Sequence, residues 1–325
     1  MKKRILTTAL FLMLLGLVLL GASWVFLPKN NTEAAGMQRL ESYASGYLSE
    51  PENTLDLLAL GDSLTASALV QPELWENYGI CGYNVCGPNQ AMTKGLYYLE
   101  RFSRSQSPKV VLLEAYELYQ PITQKLIMED RFLPLIPVLQ YHDSWKRIEG
   151  LDVFSVPHYT SKNSYRGFYA TSVQEPCEAT DYMARDKAIE EIAPACMDYL
   201  KKIQSYCQEI GAQLILFSVP SQYSWNWGKH LGAQAAADQL GIPYWDLNLE
   251  DLDIDVQTDY NDGGNHLNYL GATKVTAWLG EHLTDTGLLP DRRQDPAYEV
   301  WDDDLEEFYN WLETDIMPLA EQTTT

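Results

Sequence analysis

A serine, a histidine and a carboxylate perform acyl chemistry when folding brings them together. A neutral hydroxyl attacks a carbonyl only while a base takes its proton, and an acid steadies that base. Ser63 has the best local setting for the nucleophile. It follows the apolar run Leu55-Asp56-Leu57-Leu58-Ala59-Leu60 and lies in Gly61-Asp62-Ser63-Leu64, a turn sequence ending a segment of strand length. A serine there is exposed, and the first N–H groups of a following helix can receive an oxyanion. The tripeptide alone is weak, since average composition yields it in roughly one chain of this length in ten and serines after strands commonly cap helices. His266 is the candidate base. It sits in the block Asn261-Asp262-Gly263-Gly264-Asn265-His266-Leu267-Asn268-Tyr269-Leu270-Gly271-Ala272, whereas His142, His158, His230 and His282 lie in helical or irregular stretches and read as surface or structural histidines.

Strand-length apolar runs at 55–60, 82–86, 108–116, 213–219 and 242–246 alternate with helical patterns at 89–104, 121–149, 185–210, 228–240 and 266–283. The helix over 121–149 is interrupted by proline near its centre. Continuous VVLL and LLAL runs suit strands buried on both faces, so the alternation predicts an α/β fold with a mostly parallel sheet and helices on both sides. Ligands of such sheets bind at the carboxyl ends of the strands. That rule selects Asp62 and Ser63 after the first strand, Gly87 and Gln90 after the second, Glu117 after the third, and Asp262 and His266 after the last. Residues 152–183, irregular and rich in Tyr and Ser, are expected to form a lid or insertion over one end of the sheet.

The early Gly-Asp-Ser-Leu block paired with the late NDGGNHLNYLGA block resembles the SGNH/GDSL hydrolase family over residues 54–283, most strongly at 55–67 and 259–272. Among its branches the chain looks most like membrane-anchored bacterial proteins that acylate or deacylate cell-envelope polymers. The resemblance implies a three-layer, flavodoxin-like sandwich. Ser63 would be the nucleophile of an acyl-enzyme, His266 its base, and an Asp three residues before the His would orient the ring. It implies a serine esterase or O-acyltransferase outside the cytoplasm, acting on an acylated envelope glycan or glycopolymer without cofactor or metal. Two departures stand. Asp262 precedes His266 by four residues, so either the loop bulges by one residue or Asp259 bonds the imidazole, and Asp262 is favoured. The family's oxyanion hole joins the serine N–H, a Gly N–H after the second strand and an Asn after the third; Gly87 matches the Gly, but LLEAYELY offers no Asn, leaving Gln90 either as a substitute donor or as an ordinary helix residue. These departures motivate the alternative of a non-catalytic binding or scaffold protein with the same fold.

Other features bound the reading. Met1-Lys2-Lys3-Arg4 precedes an uncharged apolar run over 5–28, longer than the 7–15 residues typical of a signal-peptide core, so residues 1–29 read as an uncleaved, single-pass anchor with everything after about residue 30 outside. Glu33-Ala34-Ala35-Gly36 leaves cleavage open. Residues 30–53 read as a linker and short helix, 54–290 as the domain with an insertion at about 120–184, and 291–325 as an acidic tail in which Asp302-Asp303-Asp304, Glu306 and Glu307 before FYNWL suit a surface helix with its acids near the positive N-terminal end. A net charge of −22 with scattered basic residues argues against nucleic acid as partner. Among five cysteines, Cys81 and Cys86 are expected to form a disulfide, with buried thiols as the plain alternative, and no spacing resembles a zinc site. Tyr223, Trp225 and Trp227 either stack on a sugar ring or pack the core. Glu114, Glu117 and Asp246 lack the paired spacing of a glycosidase.

Overall fold

Aliphatic runs without a polar face settle inside a sheet covered on both sides. Such runs form β1 (Leu57–Gly61), β3 (Val110–Glu114) and β4 (Gln213–Ser218), and the more mixed segments GYNVC and YWD add β2 (Gly82–Cys86) and β5 (Tyr244–Asp246). They pair in the order β2-β1-β3-β4-β5, every neighbour parallel. The computed structural model describes residues 2–37, 39–147 and 154–318.

The helices are α1 (Lys2–Phe26), α2 (Arg39–Ala44), α3 (Ser63–Ala68), α4 (Gln71–Tyr78), α5 (Met92–Phe102), α6 (Gln124–Ile127), α7 (Pro137–Gln140), α8 (Pro194–Ile210), α9 (Trp227–Leu240), α10 (Tyr269–Asp285) and α11 (Val300–Trp311). Strand alternation divides the core in two. Leu58, Leu60, Val111, Leu113 and Leu216 pack with Leu99 of α5, Leu200 of α8 and Ala233 of α9. Leu57, Ala59, Leu112, Ile215 and Phe217 pack with Leu64 of α3, Leu74 of α4 and Val275 and Leu279 of α10. Three layers result, helix on sheet on helix. Among the described residues α1 is the one helix long and apolar enough to cross a membrane by length and composition; its 25 residues extend about 37 Å.

Several expectations change. The helix expected over 121–149 is, through residue 147, a series of short turns, because Pro134 and Pro137 remove backbone donors and each opens a new turn. The helix expected from 185 begins at Pro194, which stands at its first position. Beyond residue 290, α11 buries Trp301 and Phe308, and Trp301 lies 5.4 Å from Trp75. The acidic segment thus forms the helix expected of it, with Asp302 and Asp303 in the first turn, and this helix is packed against the domain; residues 319–325, like 148–153 of the expected insertion, lie outside the described residues. Cys81 and Cys86 are not bridged, and all five cysteines are free thiols. The strand β2 runs between the pair and holds them roughly 16 Å apart, more than twice the reach of a disulfide.

The insertion is a strap. From His158, whose N–H donates to the Lys29 carbonyl at 2.8 Å, it reaches the outer edge of β2, where Asn84 N–H donates to Arg166 O at 3.0 Å. Arg166 is wholly buried, paired with Glu50 at 2.8 Å and with Asp304, its guanidinium 4.1 Å from the Trp301 ring centroid. A buried guanidinium needs such partners, and these tie linker, strap and α11 together. The strap then follows residues 256–269: Tyr269 N–H donates to Thr171 O at 2.8 Å, Glu175 N–H to Tyr260 O at 3.0 Å and Cys177 N–H to Val256 O at 3.0 Å.

Candidate active site

Ser63 opens α3 directly after β1. Asp62 caps that helix, its Oδ1 accepting the Leu64 N–H at 2.9 Å. Gly61 is required by packing as well as by the turn: a Cβ there would lie 2.1 Å from Thr65 Oγ1 and 3.0 Å from Glu114 Cβ.

At the far end of the chain, a small antiparallel bridge between Tyr260 and Leu267 closes a loop that carries His266. Asn261 N–H donates to His266 O at 3.0 Å and Asn268 N–H to Asp259 O at 2.9 Å. Gly263 and Gly264, at φ +74° and +113°, make the bend between them. This bulge resolves the four-residue spacing. His266 Nε2 lies 2.8 Å from Ser63 Oγ, and His266 Nδ1 lies 2.5 Å from Asp262 Oδ2. Asp259 is elsewhere occupied: almost wholly buried, it pairs with Lys274 at 2.7 Å and accepts the Asp255 N–H at 2.8 Å.

Ser63, His266 and Asp262 therefore form a continuous hydrogen-bonded chain at the carboxyl end of the sheet. The His and Asp side chains are 24% and 37% exposed, open enough for a ligand to reach them. With Nδ1–H donating to Asp262, Nε2 carries the lone pair that faces the serine hydroxyl, the tautomer a general base needs. Residues the sequence reading passed over hold this loop. Asn265 Oδ1 accepts from Ser221 Oγ at 2.8 Å and Ser224 Oγ at 2.6 Å, and Gln222 N–H donates to Gly264 O at 2.9 Å. Ser221, Gln222 and Ser224 follow β4, so the strand-end rule was the signal that could have found them.

Gln90 does not face the site as an oxyanion donor. Its amide nitrogen donates to Glu117 Oε1 at 3.1 Å and to Val85 O at 3.5 Å, which occupies both of its hydrogens. The reason is Glu117, fully buried and in need of a donor. The Gly87 N–H lies 3.4 Å from Gly61 O, a long bond that extends the β1–β2 pairing by one residue. Beneath the site, burial pushes the carboxyls of Asp62, Glu114 and Glu117 up, and Asp62 raises both of its neighbours further. Glu114 accepts the Tyr116 N–H at 3.3 Å and the Val219 N–H at 3.4 Å, so it fastens strand ends and is closed to solvent. Asp246 does likewise, accepting from Trp225 Nε1 at 2.9 Å, which makes Trp225 a core residue. Trp227 stacks on His230, and Tyr223 stays 72% exposed at the rim, beside Gly264.

No family model matches the chain, and no curated protein matches it. Solved structures do. A GDSL-like lipase from Bacteroides thetaiotaomicron is 10% identical, with 76% of this chain and 98% of that one covered and a TM-score of 0.40. The lipase/acylhydrolase from Enterococcus faecalis is 15% identical, with 74% and 100% covered and a TM-score of 0.38. An acetyl xylan esterase from the rumen bacterium Butyrivibrio proteoclasticus is 10% identical, with 73% and 64% covered and a TM-score of 0.33. Likeness at these values assigns no activity to this chain.

Proposed function

We propose that the chain is a serine esterase or O-acyltransferase that works through an acyl-enzyme on Ser63. The observation that carries this reading is the hydrogen-bonded chain from Ser63 Oγ through His266 to Asp262. Ser63 Oγ attacks the ester carbonyl while His266 Nε2 takes the hydroxyl proton, and Asp262 stabilises the imidazolium that forms. The Ser63 N–H at the start of α3, and the Gly87 N–H once released from Gly61, are the donors proposed for the oxyanion. As the C–O bond to the leaving alcohol breaks, Nε2 returns the proton to that oxygen. Water or a second hydroxyl then attacks the acyl carbonyl by the same route and frees Ser63.

With α1 as a membrane anchor behind the cluster Lys2-Lys3-Arg4, the domain lies outside the cytoplasm, and the ester belongs to an acylated envelope glycan or glycopolymer. Tethering at a surface and the strap beside the His loop support transfer to a bound sugar hydroxyl over hydrolysis. The occupied amide of Gln90 is what speaks for the non-catalytic alternative. A fluorophosphonate separates the two: the esterase reading expects covalent labelling of the full chain that Ser63→Ala and His266→Ala each abolish without a change in Tm. An unlabelled wild type leaves the scaffold reading. An activated acyl ester supplied with and without an envelope oligosaccharide then decides the fate of the acyl group, since free acid at an unchanged rate with no acyl-oligosaccharide marks a hydrolase.

A further inference from the structure

The segment between β3 and the strap carries a run of exposed apolar side chains. Lys125 and Glu129 stay at the surface as an ion pair, 81% and 43% exposed, but three other polar side chains turn inward. Arg131 makes a two-pronged pair with Glu100 at 2.8 and 2.9 Å, Asp130 accepts from Thr93 at 2.6 Å, and Gln140 donates to Glu41 at 3.3 Å. Its large apolar side chains turn outward: Met128, Phe132, Leu135 and Leu139, joined by Phe154 and Val156, are between 46% and 76% exposed. Exposed apolar groups gathered on one face mark a surface that something covers.

The same face is continuous with the end of α1. Helix α7, which carries Leu139, packs against α1, and Val138 N–H donates to Ser23 Oγ at 3.3 Å. Two residues beyond Val156, His158 is bonded to Lys29 O. At this level Lys29 Nζ lies 4.3 Å over the Trp24 ring and donates to Trp24 O at 2.8 Å. A Trp and a Lys at the end of an apolar helix are the pair expected where hydrocarbon gives way to headgroups. On the reading of α1 as a membrane anchor, we infer that residues 128–139 with Phe154 and Val156 are seated in the outer leaflet beside α1. The domain is thereby held against the bilayer at a fixed tilt, and does not swing on a flexible stalk. The occupant is lipid hydrocarbon. A net charge of −22 gives no attraction to anionic headgroups, so the contact rests on apolar burial and is insensitive to salt.

The test uses the full chain in phosphatidylcholine nanodiscs. In a Cys177→Ser background the remaining native thiols are buried, and an environment-sensitive fluorophore is attached through Leu135→Cys, Leu12→Cys or Lys201→Cys. Brominated phosphatidylcholine is the quencher. The expected result is loss of most emission at Leu12→Cys and Leu135→Cys, unchanged at raised salt, with Lys201→Cys unaffected. Quenching at Leu12→Cys while Leu135→Cys behaves like Lys201→Cys overturns the inference and leaves the anchor standing. No quenching at Leu12→Cys overturns the anchor and the inference with it. A blue-shifted label at Leu135→Cys that lipid bromine does not quench means that another protein surface covers the patch, and also overturns it.

Discussion

Asp262 holds His266 at two points, its Oδ2 at 2.5 Å from the ring Nδ1 and its Oδ1 accepting the backbone N–H of the same residue at 2.7 Å. One carboxylate thus fixes both the orientation of the ring and the place of the chain that bears it. The Asn265 N–H also reaches Oδ1, at 3.1 Å, so the same oxygen shapes the Gly263-Gly264 bend.

Replacing that carboxylate by an amide keeps an acceptor for the backbone but lets the ring adopt the wrong tautomer. Asp262→Asn is expected to lower kcat by on the order of 10²- to 10⁴-fold with a small change in Tm. Asp259→Asn weakens the buried pair with Lys274 and should show chiefly as lost stability. Rates and melting curves on both variants check this, and a greater loss of kcat in Asp259→Asn would move the orienting role to Asp259.

Gln90 serves Glu117, and its removal should be felt in folding more than in catalysis. Gln90→Ala strips a donor from a fully buried carboxyl and is expected to cost about 1–3 kcal/mol of stability. Its kcat should fall by much less than the 10²–10³-fold that loss of an oxyanion donor brings. Urea unfolding beside steady-state rates separates the two effects; a large kcat loss at unchanged stability would restore Gln90 to the oxyanion hole.

Glu73 makes stability depend on pH. Burial pushes its carboxyl up to about 7, against the Tyr269 Oη bond at 2.7 Å, which favours the charged form. A folded-state value above the unfolded one means that the folded chain binds the proton more tightly. The stability it contributes is complete below about pH 4 and is lost as pH rises through about 7. Glu73→Gln keeps the acceptor for Tyr269 and cannot ionise. It should match the wild type near pH 4 and exceed it near pH 8 by on the order of 3 kcal/mol, read from denaturation midpoints at the two pH values.

β1, β3, β4 and the place of Ser63 were legible because they are local: an unbroken aliphatic run implies burial, and a turn sequence at its end implies a strand terminus. The short helix α4 drew no reading of its own, and its first residues Gln71, Pro72 and Glu73 show why, being buried without being apolar. In the 121–149 stretch the apolar residues follow a helical spacing, yet prolines cut the helix and side chains such as Leu135 point outward, so periodicity suggested a core that is not there. Gln90 could not be placed from sequence, since its partner Glu117 lies 27 residues on and only the fold joins them. The strap was legible as an insertion but not as a brace. Its Arg166 anchor pairs with residues far off in sequence, and its 169–177 stretch is held largely by backbone bonds, which leave no side-chain pattern.

Ser63 and His266 are separated by 203 residues. As the chain is made, the serine emerges long before its base, and closing so long a loop is entropically costly until the intervening strands have paired. Until then Ser63 is an ordinary unactivated hydroxyl. On the proposed role of Ser63 the chain carries its own safeguard during synthesis, because the hydroxyl meets its base only once nearly the whole domain has been made and folded.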